Sequence, residues 1–536
     1  MTDRFTDSRL HSIRAASPGL QRTDEMIIHA PCGSMEGLEF DGLCQFRGIP
    51  YAEPPSGENR FRPTAPAKPW NGIRPCKTYG HAAPQIPVPG LTYFQEGETI
   101  DENCLYLNVT APVYAVPGQH PAATDNETLS VPGSVPAKRP GASAALPVLF
   151  WVHGGAFQKG SANMGMDPAA FAKEGMVVVA ANYRVGALGF LDFSEFLGEE
   201  YRQSGNSGVL DIMEALRWTK RNIASFGGDP DNITIMGQSA GAKLCASLTL
   251  ASGAKGLFRR AVLCSGAAQC IRDRVTARAV TRLFMQDAGL TEKSAKQLLT
   301  LPWETILEAQ KNLFSGLNLH TVGPVFDGIT FRADDALQLI GAGVSSDVAV
   351  LMGTNRDEMN LYWYIYRFHE LTESHAARLF GNRAPLVMED YRKLPSGKSF
   401  HKCFIHLLTE YIYRAPCIRM AEACAAAGQN MYLYRLDWDR QPYKACHTSE
   451  TQFLMGKDDN LPGLDSSPAH AELARKMHDA FIHFIKTGKP DAEGLPSWPL
   501  YTTEEKQMMI LDSTCRTVAA SAPETPEDMP FQIFRL

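Results

Sequence analysis

The segment Asn232-Ile233-Thr234-Ile235-Met236-Gly237-Gln238-Ser239-Ala240-Gly241-Ala242 leaves this chain few ways to fold. β-Branched and apolar residues run up to a serine set between two glycines, and small residues follow, so a buried strand turns sharply into a helix at Ser239. The residues two before and two after the apex pass too close for side chains, and Gly237 and Gly241 supply that clearance. A Gly-x-Ser-x-Gly pentapeptide alone also fits an ordinary flexible turn. The strand before it and the small-residue helix after it favour an elbow that presents a nucleophile.

A serine hydroxyl is a poor nucleophile at neutral pH, so such an elbow requires a general base, an acid to orient the base, and donors for a developing oxyanion. Upstream, Val148-Leu149-Phe150-Trp151-Val152 leads into His153-Gly154-Gly155-Ala156-Phe157, where small residues leave backbone N–H groups uncovered. A glycine-rich loop after a buried strand is the pattern of an oxyanion loop. The plainer reading is a glycine turn without chemistry.

Blocks spread along the chain carry a wider likeness. Phe46-Arg47-Gly48-Ile49-Pro50-Tyr51-Ala52-Glu53-Pro54-Pro55, Arg60-Phe61 and Asp101-Glu102-Asn103-Cys104-Leu105-Tyr106-Leu107-Asn108-Val109 come first. Asn206-Ser207-Gly208-Val209-Leu210-Asp211 and Ala224-Ser225-Phe226-Gly227-Gly228-Asp229-Pro230 precede the elbow, and Gly256-Leu257-Phe258-Arg259-Arg260-Ala261 with Ser265-Gly266 follow it. In these blocks the chain resembles the type-B carboxylesterases, which include cholinesterases and bacterial para-nitrobenzyl esterases. The resemblance implies an α/β-hydrolase fold: a central, mostly parallel β-sheet flanked by helices, with large helical insertions around an active-site gorge.

The resemblance further implies that Ser239 is the nucleophile and that the backbone N–H groups of Gly155, Ala156 and Ala240 form the oxyanion hole, with Gly154 shaping the loop. Its acid follows a buried strand in a Gly-x-x-x-Asp-Glu block, here Gly353-Thr354-Asn355-Arg356-Asp357-Glu358. Register against the family selects Glu358 over its neighbour Asp357. Among fourteen histidines, His447 matches the family base, with Glu450 three places on where the family commonly has an acid. Without the resemblance, a lone histidine reads as structural or exposed. The chain order Ser239, Glu358, His447 is that of the α/β-hydrolases and excludes chymotrypsin-like and subtilisin-like orders.

Length and composition bound the remainder. A chain of 536 residues with 44% hydrophobic content can bury a large core. Strand-like runs such as Met176-Val177-Val178-Val179-Ala180 alternate with helical ones, where Val209, Ile212, Met213, Leu216 and Ile223 recur at helical spacing. The expected organisation is a polar tail over 1–25 and one catalytic domain over 26–536. Within that domain, residues 113–146 are rich in Pro, Ala, Gly and Ser and read as a surface insertion.

No apolar leader stands near the N-terminus, and no run approaches a membrane span. Twelve cysteines are scattered rather than clustered. Secreted relatives bridge the Cys104 position to a Cys-x-Gln block, which here reads Ala83-Pro84-Gln85, so that bridge cannot form and Cys76 is the substitute to consider. No CxxC or HExxH spacing supports a metal, and no cofactor is implied. These features point to the cytoplasm of a microbe.

A net charge of −6 and a pI near 6.2 give no basic footprint for nucleic acid or anionic membrane, leaving a small-molecule ester as the expected partner. Gln238 stands where the family usually has glutamate, and an ungapped count puts Phe94 where cholinesterases carry their choline-stacking tryptophan; both departures weaken a cationic substrate. The aromatic run Leu361-Tyr362-Trp363-Tyr364-Ile365-Tyr366 either lines an apolar pocket or packs a helix onto the core. The expected activity is hydrolysis of small, fairly apolar carboxylic esters through an acyl-enzyme. The same three side chains also suit thioesters, carbamates or amides, and a catalytically silent cholinesterase-like binding protein is the alternative of another class.

Overall fold

The computed structural model describes residues 23–86, 94–95, 97–117, 145–314, 321–366, 369–455, 465, 467–526 and 528–534. Most of the insertion expected at 113–146, and the polar tail up to residue 22, lie outside the described residues. The first strand, β1 (Thr23–Ala30), begins inside the segment read as tail.

β1 opens a large mixed sheet with β2 (Gly33–Phe40), β3 (Leu43–Pro50), β4 (Ile73–Pro75), β5 (Tyr106–Pro112), β6 (Leu146–Val152), β7 (Val177–Ala181) and β8 (Gly228–Gln238). It continues through β9 (Arg260–Cys264), β10 (Ala349–Asn355), β11 (Met431–Leu436), β12 (Gln507–Leu511) and β13 (Arg516–Ala519). In space the order is β1-β2-β3-β5-β7-β6-β8-β9-β10-β11-β12-β13, with β4 beside β2. The run from β7 to β12 is parallel, and antiparallel strands close both ends.

The sequence explains the parallel centre. A sheet covered by helices on both faces buries every residue of its central strands, so those strands read as unbroken apolar runs. β7 is Val-Val-Val-Ala-Ala and fully buried. In β6 the alternate residues Val148, Phe150 and Val152 join one core cluster while Leu149 and Trp151 join another, one on each face. Helix Ser207–Asn222 turns the predicted stripe of Val209, Ile212, Met213 and Leu216 onto the first of these clusters. Long helical insertions occupy the β9–β10 and β10–β11 connections, including Arg274–Asp287, Phe400–Thr409 and Ala415–Ala426.

Two buried ion pairs involve charges from the quoted blocks, Arg60 and Glu102 in one and Asp211 in the other. Arg60 grips Glu102 through Nε and Oε1 at 2.7 Å and donates to the carbonyls of Leu298 and Leu301, both at 2.7 Å. Arg184 grips Asp211 at 2.7 and 2.9 Å. Each pair joins segments distant in sequence, and removing one member would strand a buried charge.

In an open parallel sheet, ligands sit beyond the carboxyl ends of the strands. Five adjacent strands, β6, β8, β9, β10 and β11, end at one such place, with registers Val152↔Gly237, Gln238↔Cys264, Gly353↔Cys264 and Asn355↔Leu436.

Candidate active site

β8 ends at Gln238, and Ser239 caps helix Ala240–Leu250 with φ 59° and ψ −121°. That backbone is strained for a residue with a side chain, at a cost of about 1–3 kcal/mol, and such strain persists where surrounding structure enforces it. Enforcement is visible here. Ser239 N–H donates to Cys264 O at 2.9 Å, and Lys243 N–H donates back to Ser239 O at 3.0 Å. A Cβ on Gly237 would overlap the carbonyl of Gly241, and one on Gly241 would overlap the Val152 carbonyl oxygen. The spacing of glycines around the serine is therefore a contact requirement between strand, helix and β6.

The loop after β6 faces this elbow. Gly155, Ala156 and Phe157 take positive φ of 102°, 57° and 61° in succession, a course that two residues with side chains rarely follow. The turn is closed by Gln158 and Lys159 N–H groups donating to Gly155 O at 3.0 and 3.2 Å, and by Gly186 N–H donating to Phe157 O at 2.6 Å. Gly154 lies against Ser239: a Cβ there would come 3.4 Å from Ser239 Cβ and 3.3 Å from Gln238 Oε1. Among the described residues, the amides of Gly155, Ala156 and Ala240 donate to no protein acceptor.

The carboxylate and the imidazole meet as the chain order requires. His447 Nδ1 and Glu358 Oε2 are 2.6 Å apart, His447 N–H donates to Glu358 O at 3.1 Å, and Glu358 Oε1 accepts from Asn355 N–H at 2.8 Å. Both side chains are buried. Asp357 is turned elsewhere: it pairs with Arg356 at 2.9 Å, and its N–H donates to Ala445 O. The imidazole packs against the rings of Tyr362 and Tyr413, with centroids 5.4 and 5.0 Å away, and those phenols meet at 2.9 Å.

Tyr362, from the aromatic run after Glu358, thus borders the site. Trp363 instead packs on His369, His401 and Phe404.

Between Ser239 and His447 there is no hydrogen bond among the described residues. The ring's Nε2 faces the side-chain nitrogen of Gln238, the residue before the serine, at 3.4 Å. Catalytic hydrogen bonds are often long or misaligned without substrate and tighten in the complex. Behind the pair lies a second carboxyl: Glu450 accepts from Ser265 Oγ at 3.1 Å and from Asn355 Nδ2. Burial raises its pKa, the neighbouring Glu358 charge raises it further, and His447 opposes the shift. The acid three residues after His447 was legible in the sequence; Asn355 and Ser265, which hold it, stood inside family-like blocks, but nothing in those blocks showed that they bind Glu450.

Among the described residues no cluster of three or more His, Cys, Asp or Glu side chains could hold a metal, and no helix is long and apolar enough to cross a membrane. Cys76 and Cys104 are both buried thiols.

A serine at a strained strand-to-helix elbow, an imidazole backed by a carboxylate, and bare amides opposite define a serine hydrolase of the α/β-hydrolase fold. Comparison with known proteins narrows the class. The carboxylesterase family pattern matches residues 24–527, and the chain belongs to that family. It is 32% identical to the para-nitrobenzyl esterase of Bacillus subtilis over 502 residues, covering 91% of this chain and 95% of that protein. An acetylcholinesterase of Leptinotarsa decemlineata is 26% identical, over 92% of this chain and 83% of its own length. Among solved structures, a carboxylesterase of Geobacillus stearothermophilus superposes with a TM-score of 0.76 at 33% identity, over 92% of this chain and 97% of its own. The protein is a carboxylic ester hydrolase.

Proposed function

We propose that Ser239, His447 and Glu358 act as nucleophile, general base and orienting acid, and that the amides of Gly155, Ala156 and Ala240 bind the oxyanion. Neutral His447 takes the Ser239 proton through Nε2 as Oγ adds to the ester carbonyl. Glu358 holds the proton on Nδ1 and stabilises the imidazolium. Collapse of the tetrahedral intermediate breaks the bond to the alcohol, which leaves with the proton from His447. Water, activated by the same ring, then adds to the acyl-enzyme and releases the carboxylic acid.

The observation that carries this reading is the 2.6 Å contact of His447 Nδ1 with Glu358, placed so that the other ring nitrogen faces the residue beside Ser239. The apolar rings of Tyr362 and Tyr413 around the imidazole favour small, fairly apolar esters. A cytoplasmic location is supported by the twelve cysteines standing as thiols, as in a reducing compartment.

A fluorophosphonate probe tests the assignment. Intact mass should show one adduct on the wild type and none on Ser239→Ala, and the variant should lose ester hydrolysis. Labelling that persists in the variant would move the nucleophile elsewhere.

A further inference from the structure

Helix Ala240–Leu250 carries one charged side chain, Lys243, and it is 1% exposed. Lys243 stands one turn after Ser239. Side chains four apart on a helix align and tilt toward its N-terminus, so the lysine stem leans back toward the serine. Its path is open because residue 266 is glycine: a Cβ there would come 2.8 Å from both Lys243 Cγ and Ser239 O. Nζ ends over the face of Tyr413, 5.0 Å from the ring centroid, and that same ring packs on His447. Tyr413 projects from a π-helical turn, Glu410–Arg414, inserted between two α-helices; such turns recur at functional sites. Ammonium and imidazole therefore share one aromatic neighbour.

Among the described residues, Lys243 Nζ makes no hydrogen bond and no ion pair. Glu358, whose charge reaches it, is already engaged by His447 and by the Asn355 amide. Buried Arg272 adds a second positive charge nearby. Burial holds Lys243 below the usual lysine range and Arg272 down to about 10. Besides the Tyr413 ring, the thiols of Cys270 and Cys417 stand near Lys243, and burial raises both thiols so that neither supplies a full negative charge. A buried cation with no hydrogen bond or ion pair is unfavourable unless an anion completes it.

We propose that Lys243 is a specificity-determining cation of the acyl subsite, and that beyond small, fairly apolar esters the enzyme takes monoesters of dicarboxylic acids, the ammonium receiving the free carboxylate while Ser239 attacks the ester carbonyl. The proposal rests on the assignment of Ser239 as nucleophile. The acyl chain is the part that stays tethered to Ser239, and Lys243 is anchored to the same helical turn. Recognition of an acyl carboxylate thus lasts through both half-reactions. The remote carboxylate itself is unchanged; the products are the alcohol and the dicarboxylate.

The experiment compares kcat/KM for p-nitrophenyl monosuccinate, monoglutarate and monoadipate with that for p-nitrophenyl butyrate, and for 4-acetoxybenzoate with phenyl acetate, in the wild type, Lys243→Met and Lys243→Arg. One hemiester should exceed the butyrate by about tenfold or more in the wild type; Lys243→Met should lower that ratio by about tenfold or more, and Lys243→Arg should retain part of it. Glutarate should also inhibit wild-type butyrate hydrolysis at a roughly tenfold lower concentration than pentanoate, a measurement independent of how the variants fold. A ratio indifferent to residue 243, glutarate no better than pentanoate, or a preference confined to the alcohol-side carboxylate would overturn the proposal. Ser239→Ala separates the two readings: turnover surviving in it sinks the nucleophile assignment, whereas its loss with an unchanged ester ratio in Lys243→Met sinks only the acyl subsite.

Discussion

His153, which leads β6 into the glycine loop, should set an acid limit on the fold separate from catalysis. Its ring is 1% exposed and stacks on Tyr183 at 4.2 Å, and neutral Nδ1–H donates to Gly154 O at 2.9 Å. Burial holds its pKa down to about 4 from 6.5, with the Gly154 hydrogen bond opposing the shift. The unfolded chain therefore takes up a proton near pH 6.5, while the folded chain refuses it until about pH 4. Between those values the unfolded state binds more protons, so stability falls as pH falls and levels off below about pH 4. For one site, linkage gives a loss of about 2 kcal/mol at about pH 5 and about 3 kcal/mol at about pH 4, relative to neutral pH.

The perturbation is His153→Asn. The amide nitrogen keeps a donor near the Nδ1 position, nothing titrates, and the lost stacking on Tyr183 lowers stability by an amount independent of pH. Urea unfolding followed by tryptophan fluorescence at a series of pH values reads the difference between the two proteins, which cancels the carboxylates they share. The wild type's advantage at about pH 7.5 should shrink by about 2 kcal/mol on going to about pH 5. Parallel curves over that range would mean that His153 is protonated in the folded state, and the argument from burial would be wrong.

The neighbouring carboxylates offer a matched pair of variants. Glu358→Gln should lower kcat on the order of 10²–10⁴-fold by removing the charge that stabilises imidazolium. Asp357→Asn, whose side chain faces Arg356, should stay within about threefold, since the pair is partly exposed and Arg356 keeps Asp439 as a second partner; equal losses in stopped assays on one ester would undo the distinction. Gly241→Ala should fail to accumulate as folded protein, or lose more than about 3 kcal/mol, because its methyl would enter the Val152 carbonyl. Gly256→Ala, with nothing within 4 Å of its Cβ position but a φ of +78°, should cost only roughly 1 kcal/mol in the same denaturation assay.

What the sequence revealed, and what it hid, follows from how each residue is constrained. Ser239 was legible because its strain demands glycines two residues away on either side, so the requirement is written within five positions. The loop after β6, proposed here as the oxyanion loop, left a similar local trace: Gly155 and Ala156 are the first two of three successive positive-φ residues, although the third, Phe157, is large. Glu358 and Asp357 could not be separated by pattern alone, because both follow β10 and both are acids. The backbone separates them, with Asp357 N–H tied to Ala445 O and the Glu358 carboxylate tied to Asn355 N–H.

Lys243 is the opposite case. Within its helix it is one polar residue among small ones, and the ring that receives its charge lies far along the chain, on a π-helical turn that the pattern of Tyr411, Ile412 and Tyr413 does not announce. The net charge of −6 points the wrong way for the same reason, since a whole-chain sum is dominated by solvated side chains while a substrate meets the few that are buried. Beside Ser239, Gln238 stands where the family usually carries an acid and Lys243 adds a base, so buried cationic and carboxyl groups stand together in a chain that is negative as a whole. Reaction type is set by backbone geometry between near neighbours in sequence. Substrate choice is set where side chains from remote elements converge, and only the folded chain brings Lys243, Tyr413 and His447 together.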